Sequence, residues 1–128
     1  MTKTKEQIFV TNKKYVFTPD FVGSIYKQVK SDKIWEVNTI RHLLETNDVF
    51  VIRSLIKLYS YQTNEEKLTN SVTVKNNRGF NSYDSLKLSP ICKATIKNNS
   101  ITKDKVSYVR SKILKYSKQL TAIANGKF

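Results

Sequence analysis

Near the C-terminal end of this 128-residue chain, Lys105, Tyr108, Lys112, Lys115 and Gln119 follow one another at three- and four-residue spacing. On a helix such residues share one face. An aromatic ring among three ammonium groups suits a single-stranded polynucleotide, because lysines neutralise phosphates whatever the sequence and a Tyr ring stacks on an unpaired base. The competing reading is a solvated basic face whose Tyr108 packs on a neighbouring helix.

A second set of residues runs from Lys75 to Lys87. Arg78 followed by Gly79 lets a cationic fork approach a backbone closely, Phe80 and Tyr83 offer ring faces, and Asn76, Asn77 and Asn81 offer amide edges to bases. Asp84 follows, and its carboxylate argues against an anion at the start of the helix it would open. The alternative is that Phe80 and Tyr83 plug the core while Gly79 only serves a turn.

Charge points to the same class of partner. Residues 71–128 hold 12 Lys and Arg against two acids, Asp84 and Asp104, whereas the first 70 residues hold 11 against 8. A half-chain that basic repels itself unless it meets a polyanion, either nucleic acid or an anionic membrane surface. No stretch approaches the roughly 20 apolar residues of a membrane span. With the lysine and aromatic constellations above, nucleic acid is the expected partner, with single-stranded DNA favoured and no membrane.

Catalytic constellations are sparse. His42 is the one histidine, in Ile40-Arg41-His42-Leu43-Leu44, with no Cys, Ser or acid at motif spacing. Glu65-Glu66 and Asp84 do not compose a two-metal site, and three unclustered glycines exclude a phosphate-cradling loop. The expectation is a binding protein without enzymatic activity, cofactor or metal. The single cysteine, Cys92, makes no internal disulfide, and with Ile91 and Ala94 beside it reads as a buried thiol in a reducing cytoplasm. Met1-Thr2-Lys3-Thr4-Lys5-Glu6 leads into only three apolar residues, too few for a secretory segment, so a cytoplasmic location is expected.

The elements that would position these residues follow from periodicity and punctuation. Ile8-Phe9-Val10 and Tyr15-Val16-Phe17, joined by Thr11-Asn12-Lys13-Lys14, read as a hairpin. Thr18-Pro19-Asp20 opens a helix over residues 19–30. A second helix is expected over 38–45 after an anchoring Trp35, and Asn47-Asp48 caps a third whose apolar residues spread around most of the wheel, the pattern of a central helix. Asp84 is placed to cap a fourth, although Pro90 favours a regular part that begins only at Ser89-Pro90. Asn98-Asn99 ends it. Thr102 caps the fifth, over 103–124, whose Val106, Val109, Ile113, Tyr116 and Leu120 form an apolar stripe. The predicted fold is a mainly α single domain of about five helices with a short N-terminal β-hairpin. Its parts are a hairpin region (1–17), a helical core (18–69), a loop (70–83) and a basic helical half (84–128).

Asn47-Asp48, Leu55-Ile56-Lys57-Leu58-Tyr59 with Gln62-Thr63 and Glu66, Gly79-Phe80-Asn81 with Asp84, Ser100-Ile101-Thr102, and Lys115-Tyr116 with Gln119-Leu120 together resemble a family of small proteins and modules from phages, plasmids and other mobile elements. In that family a Gly-Phe-Asn plus Asp segment precedes a helix ending in Lys-Tyr and Gln-Leu, and the likeness covers roughly residues 47–125. No established activity attaches to it. The resemblance implies a setting in mobile-element DNA metabolism or host takeover. The role expected of a non-catalytic DNA-binding protein there is an accessory to a helicase, primase or polymerase in phage or mobile-element replication or recombination. The rival from another class is a protein-binding effector that inhibits a host nucleic-acid enzyme.

Overall fold

The computed structural model describes residues 8–11, 13–26, 34–61 and 79–126. Strands β1 (Ile8–Thr11) and β2 (Lys14–Phe17) form the expected hairpin, with Thr11 opposite Lys14 and Lys13 at a positive φ of 64° in the connection. Helices α1 (Pro19–Tyr26), α2 (Val37–Thr46), α3 (Asp48–Tyr59) and α4 (Ser82–Asn98) follow. The chain then makes a third strand, β3 (Ser100–Thr102), before α5 (Lys103–Ile113), a 3₁₀ turn (Leu114–Tyr116) and α6 (Ser117–Ala124). The fold is mainly α, with a small antiparallel sheet ordered β1-β2-β3.

Helix α3 is the centre of the core. Val51, Ile52, Leu55, Ile56 and Leu58 are fully buried, because α1, α2, α4 and α5 all pack against this one helix. A helix that is apolar nearly all round can be stable in water only when it is enclosed in this way. The same hydrophobic cluster extends from Tyr15 and Phe17 of the sheet to Tyr116 and Leu120, so one core spans the described residues. Cys92 is buried within it.

Four details differ from the sequence-based expectation, each for a local reason. Asn81, and not Asp84, caps α4: its side chain accepts from the Asp84 N–H at 2.8 Å, which leaves Asp84 inside the first turn. Pro90 lies within α4 instead of starting it. Pro90 and Leu86 are both solvent-exposed, so the Leu86 carbonyl that loses its helical partner lies on the water-facing side, which lessens the usual penalty. Asn99 adopts a left-handed φ of 53°, and this reversal lays Ser100–Thr102 along β2, with Tyr15 opposite Ile101. Finally, the last helix is divided by the 3₁₀ turn, where the Ser117 hydroxyl donates to the Leu114 carbonyl at 2.6 Å.

Caps of the expected type fix the starts of α3 and α5. The Asn47 side chain accepts from the Phe50 N–H at 3.0 Å and Thr102 from the Lys105 N–H at 3.2 Å. At the far end, Asn125 exchanges two hydrogen bonds with the backbone of Trp35, at 2.7 and 3.0 Å, tying the C-terminal helix to the approach to α2. Expectations for residues 27–30, for the continuation 62–67 and for most of the 70–83 loop lie outside the described residues.

Candidate nucleic-acid interface

The apolar stripe of the C-terminal helix faces inward in full: Val106, Val109, Ile113, Tyr116 and Leu120 are all buried. This fixes the rotation of α5 and turns Lys105 and Tyr108 to solvent. Helix α4 lies alongside and presents Tyr83 and Lys87 from its first two turns. The four groups that meet across the pair alternate in kind. The Lys87 ammonium lies 5.7 Å from the centre of the Tyr83 ring, and the Lys112 ammonium lies 5.9 Å from that ring and 5.7 Å from the Tyr108 ring. Lys112 thus sits between two tyrosines on different helices, within cation–π range of both. Tyr83 is 63 % exposed and Tyr108 37 %, so each ring keeps accessible surface.

Immediately beneath this ladder lies a polar network of a different character. Asp84 is completely buried. Its Oδ2 accepts from the Tyr116 hydroxyl at 2.7 Å and pairs with the Lys115 ammonium at 2.9 Å, while Oδ1 is buried without a hydrogen-bond partner. The same Tyr116 hydroxyl accepts from the Asn81 N–H at 2.9 Å. Burial, reinforced by the bond to Asp84 and its negative charge, pushes the Tyr116 phenol above its ordinary pKa. Next to it, Gln119 clasps Gly79 at both ends, accepting from its N–H at 2.6 Å and donating to its carbonyl at 3.3 Å. Gly79 has φ 81°, a conformation that side-chain-bearing residues rarely adopt.

The residues expected to bind therefore separate. Tyr83, Lys87, Tyr108 and Lys112 come together on the surface, with Lys105 exposed one turn before Tyr108 on α5. Phe80 does not join them. It is 3 % exposed and packs edge-to-face on Tyr116, their ring centres 6.1 Å apart, so its ring is a core plug and not a stacking platform. Gln119 is engaged with Gly79, and Lys115, although half-exposed, is paired with Asp84. Lys75 and Arg78 lie outside the described residues. The two halves of the sequence motif, Gly79-Phe80-Asn81 with Asp84 and Lys115-Tyr116 with Gln119, are the two sides of this one network.

A second polar cluster joins the sheet to the helices. The Tyr15 hydroxyl and the Arg110 guanidinium both donate to Asp48, and Arg110 also donates to the Leu44 carbonyl at 2.8 Å. Burial raises the Tyr15 phenol from 10.0 to about 12, helped by the bond to Asp48 and opposed by the Arg110 charge. Burial pushes the Asp48 carboxyl up, but the bonds from Tyr15 and Arg110 prevail and hold it below the usual carboxylate range. Periodicity gave no hint of this cluster, since its members come from three distant segments.

Among the described residues no three His, Cys, Asp or Glu side chains are grouped to hold a metal ion, and no helix is long and apolar enough to cross a membrane. His42 is an exposed residue of α2. No known family model, curated protein or solved structure matches the chain.

Proposed function

We propose that the protein binds single-stranded nucleic acid, DNA in preference, on the surface formed by α4 and α5, without catalysing a reaction. The observation that carries this reading is the alternation Lys87, Tyr83, Lys112, Tyr108 across two helices. Cations within reach of partly exposed rings are the combination that neutralises a phosphate backbone while offering stacking surfaces to unpaired bases. The excess of base over acid in residues 71–128 supports the same partner. Lys105 extends the positive surface along α5.

In mechanistic terms, binding proceeds by displacement. In the free protein Lys112 is attracted to the two ring faces. A phosphate draws the ammonium toward itself with a full negative charge, and a base then takes up the ring surface. The buried Asp84 network ties the start of α4 to the 3₁₀ turn that directly follows α5, so the ladder is presented by tethered elements. The setting that the sequence resemblance implies is DNA replication or recombination of a mobile element, where an accessory of this kind would act beside a helicase, primase or polymerase.

The test is retardation of a labelled oligonucleotide by the pure protein across a salt series. Each phosphate neutralised on a single strand contributes a slope of about −0.7 in log affinity against log salt, so three to four contacts give roughly −2 to −3. Retardation with that slope supports the proposal. No retardation at moderate salt, or an affinity indifferent to salt, removes it and favours the protein-binding effector.

A further inference from the structure

A groove of about 320 Å³ lies between the second half of α4 and β3, at the opposite end of α4 from Tyr83. Its apolar wall comes from Ile91 and Ala94 of α4 and Ile101 of β3. Its polar groups come from separate elements, with Lys14 on β2, Asn98 at the end of α4 and Lys105 in the first turn of α5. Thr102 sets both lysines in place. It stands opposite Lys14 in the β2–β3 pairing, and its hydroxyl caps α5 by accepting from the Lys105 N–H at 3.2 Å. Among the described residues neither lysine is in an ion pair, the lining holds no acid, and the exposed Asn98 side chain makes no hydrogen bond.

The groove continues the tyrosine–lysine ladder. Tyr83, Lys87, Ile91, Ala94 and Asn98 follow one another on α4 at three- and four-residue spacing, so the face that begins in the ladder ends in the groove. On α5, Lys105 lies one turn before Tyr108, about 4.5 Å along the axis. A strand with a base on the Tyr108 ring and its backbone carried past Lys105 therefore meets the groove next. The lining holds no aromatic ring, so a base there is not stacked as it is on the ladder. It meets an aliphatic wall and the Asn98 amide, which both donates and accepts and so complements the edge of a base. The volume is at the lower end of the range for small-molecule sites, about 300–1,000 Å³, which suits one nucleotide.

We propose that this groove takes one unpaired base of a single strand bound on the ladder, with the base edge on the Asn98 amide, its body against Ile91, Ala94 and Ile101, and the flanking phosphates on Lys14 and Lys105. The inference rests on the nucleic-acid reading and adds to it a position where a base is held by its edge.

The experiment is a set of fluorescence-anisotropy titrations of the full chain with two labelled twelve-residue strands of equal charge, an oligothymidylate and the same backbone carrying tetrahydrofuran abasic units. Asn98→Ala removes the amide without changing charge, and should weaken the oligothymidylate by about fivefold while leaving the abasic strand unchanged. Ala94→Leu, which fills the groove from an exposed position without adding a ring, should weaken the oligothymidylate by at least as much. Lys14→Ala should weaken both strands and lower the salt slope by about 0.7. Asn38→Ala, on the exposed side of α2, is the control and should change neither. Each variant is verified by a wild-type melting temperature. Full oligothymidylate affinity in either folded Asn98→Ala or folded Ala94→Leu, or an equal loss on both strands in Asn98→Ala, would overturn the proposal; a loss of affinity in Lys112→Ala would then leave the ladder itself standing. Failure of the wild-type chain to bind either strand would overturn both readings.

Discussion

Tyr108 and Lys112 stand on α5, and Tyr116 and Lys115 follow them within two turns, so the same pair of residue types occurs twice in nine residues. Their surroundings are opposite. Tyr116 is 7 % exposed, its hydroxyl bonded to Asp84 and to the Asn81 N–H, with Lys115 completing the charge balance of a buried carboxylate. Tyr108 is 37 % exposed and its lysine faces rings instead of an acid. Residue type alone therefore does not decide whether a tyrosine–lysine pair holds the fold or meets a ligand. The presence of one buried acid on the facing helix does, because a carboxylate in a low-dielectric interior demands both a cation and a hydrogen-bond donor.

The sharpest way to break this distinction between an inner and an outer face is to truncate adjacent residues. Ile113→Ala should destabilise the protein by about 2–5 kcal/mol as a core truncation, whereas Lys112→Ala should stay within about 0.5 kcal/mol of wild type and weaken oligonucleotide binding of all sequences alike. Denaturant unfolding of both, with titrations of the second, measures the contrast. Equal destabilisation would mean that α5 is rotated from the orientation described.

Removal of a single oxygen probes the two tyrosines next. Tyr116→Phe deprives Asp84 and the Asn81 N–H of their shared partner and should cost about 1–3 kcal/mol, while Tyr108→Phe should cost less than about 0.5 kcal/mol and keep its stacking surface. Comparable losses in thermal or chemical unfolding would erase the difference between the regions.

A smaller effect should appear in the pH dependence of stability. The Tyr15 phenol rises from 10.0 to about 12 in the folded state, so its contribution is fully present below about pH 10 and disappears as pH climbs toward 12. Asp48 is shifted the other way; its contribution is present above the unfolded carboxylate pKa and is lost as pH falls through the folded one. Tyr15→Phe should therefore flatten part of the alkaline decline relative to wild type, and Asp48→Asn part of the acid decline. Parallel unfolding curves from pH 9 to pH 12 would show that Tyr15 does not sense the fold.

Much of the architecture was legible in the sequence because it depends on neighbours within a few residues. The apolar stripe from Val106 to Leu120, the Asn47 and Thr102 caps and the enclosed pattern of α3 are all short-range signals. What was not legible depends on distant partners. Phe80 and Tyr83 are both aromatic and three residues apart, and only the contact with Tyr116, more than 30 positions later, makes the first a core residue. Lys115 and Gln119 read as members of a basic face, yet their partners Asp84 and Gly79 lie 31 and 40 positions upstream. Strand β3 has three residues, too few for alternation to register, and the Asn99 turn that creates it was visible only as a helix stop.

The most direct measurement is a competition titration of wild type and Tyr108→Ala against matched single-stranded and duplex oligonucleotides at fixed salt. If the exposed ring stacks on unpaired bases, the substitution should cost about 1–3 kcal/mol on the single strand, much less on duplex, and leave the salt slope unchanged. A uniform loss on both substrates, or no loss on either, would contradict a stacking role and leave the basic face to act by charge alone.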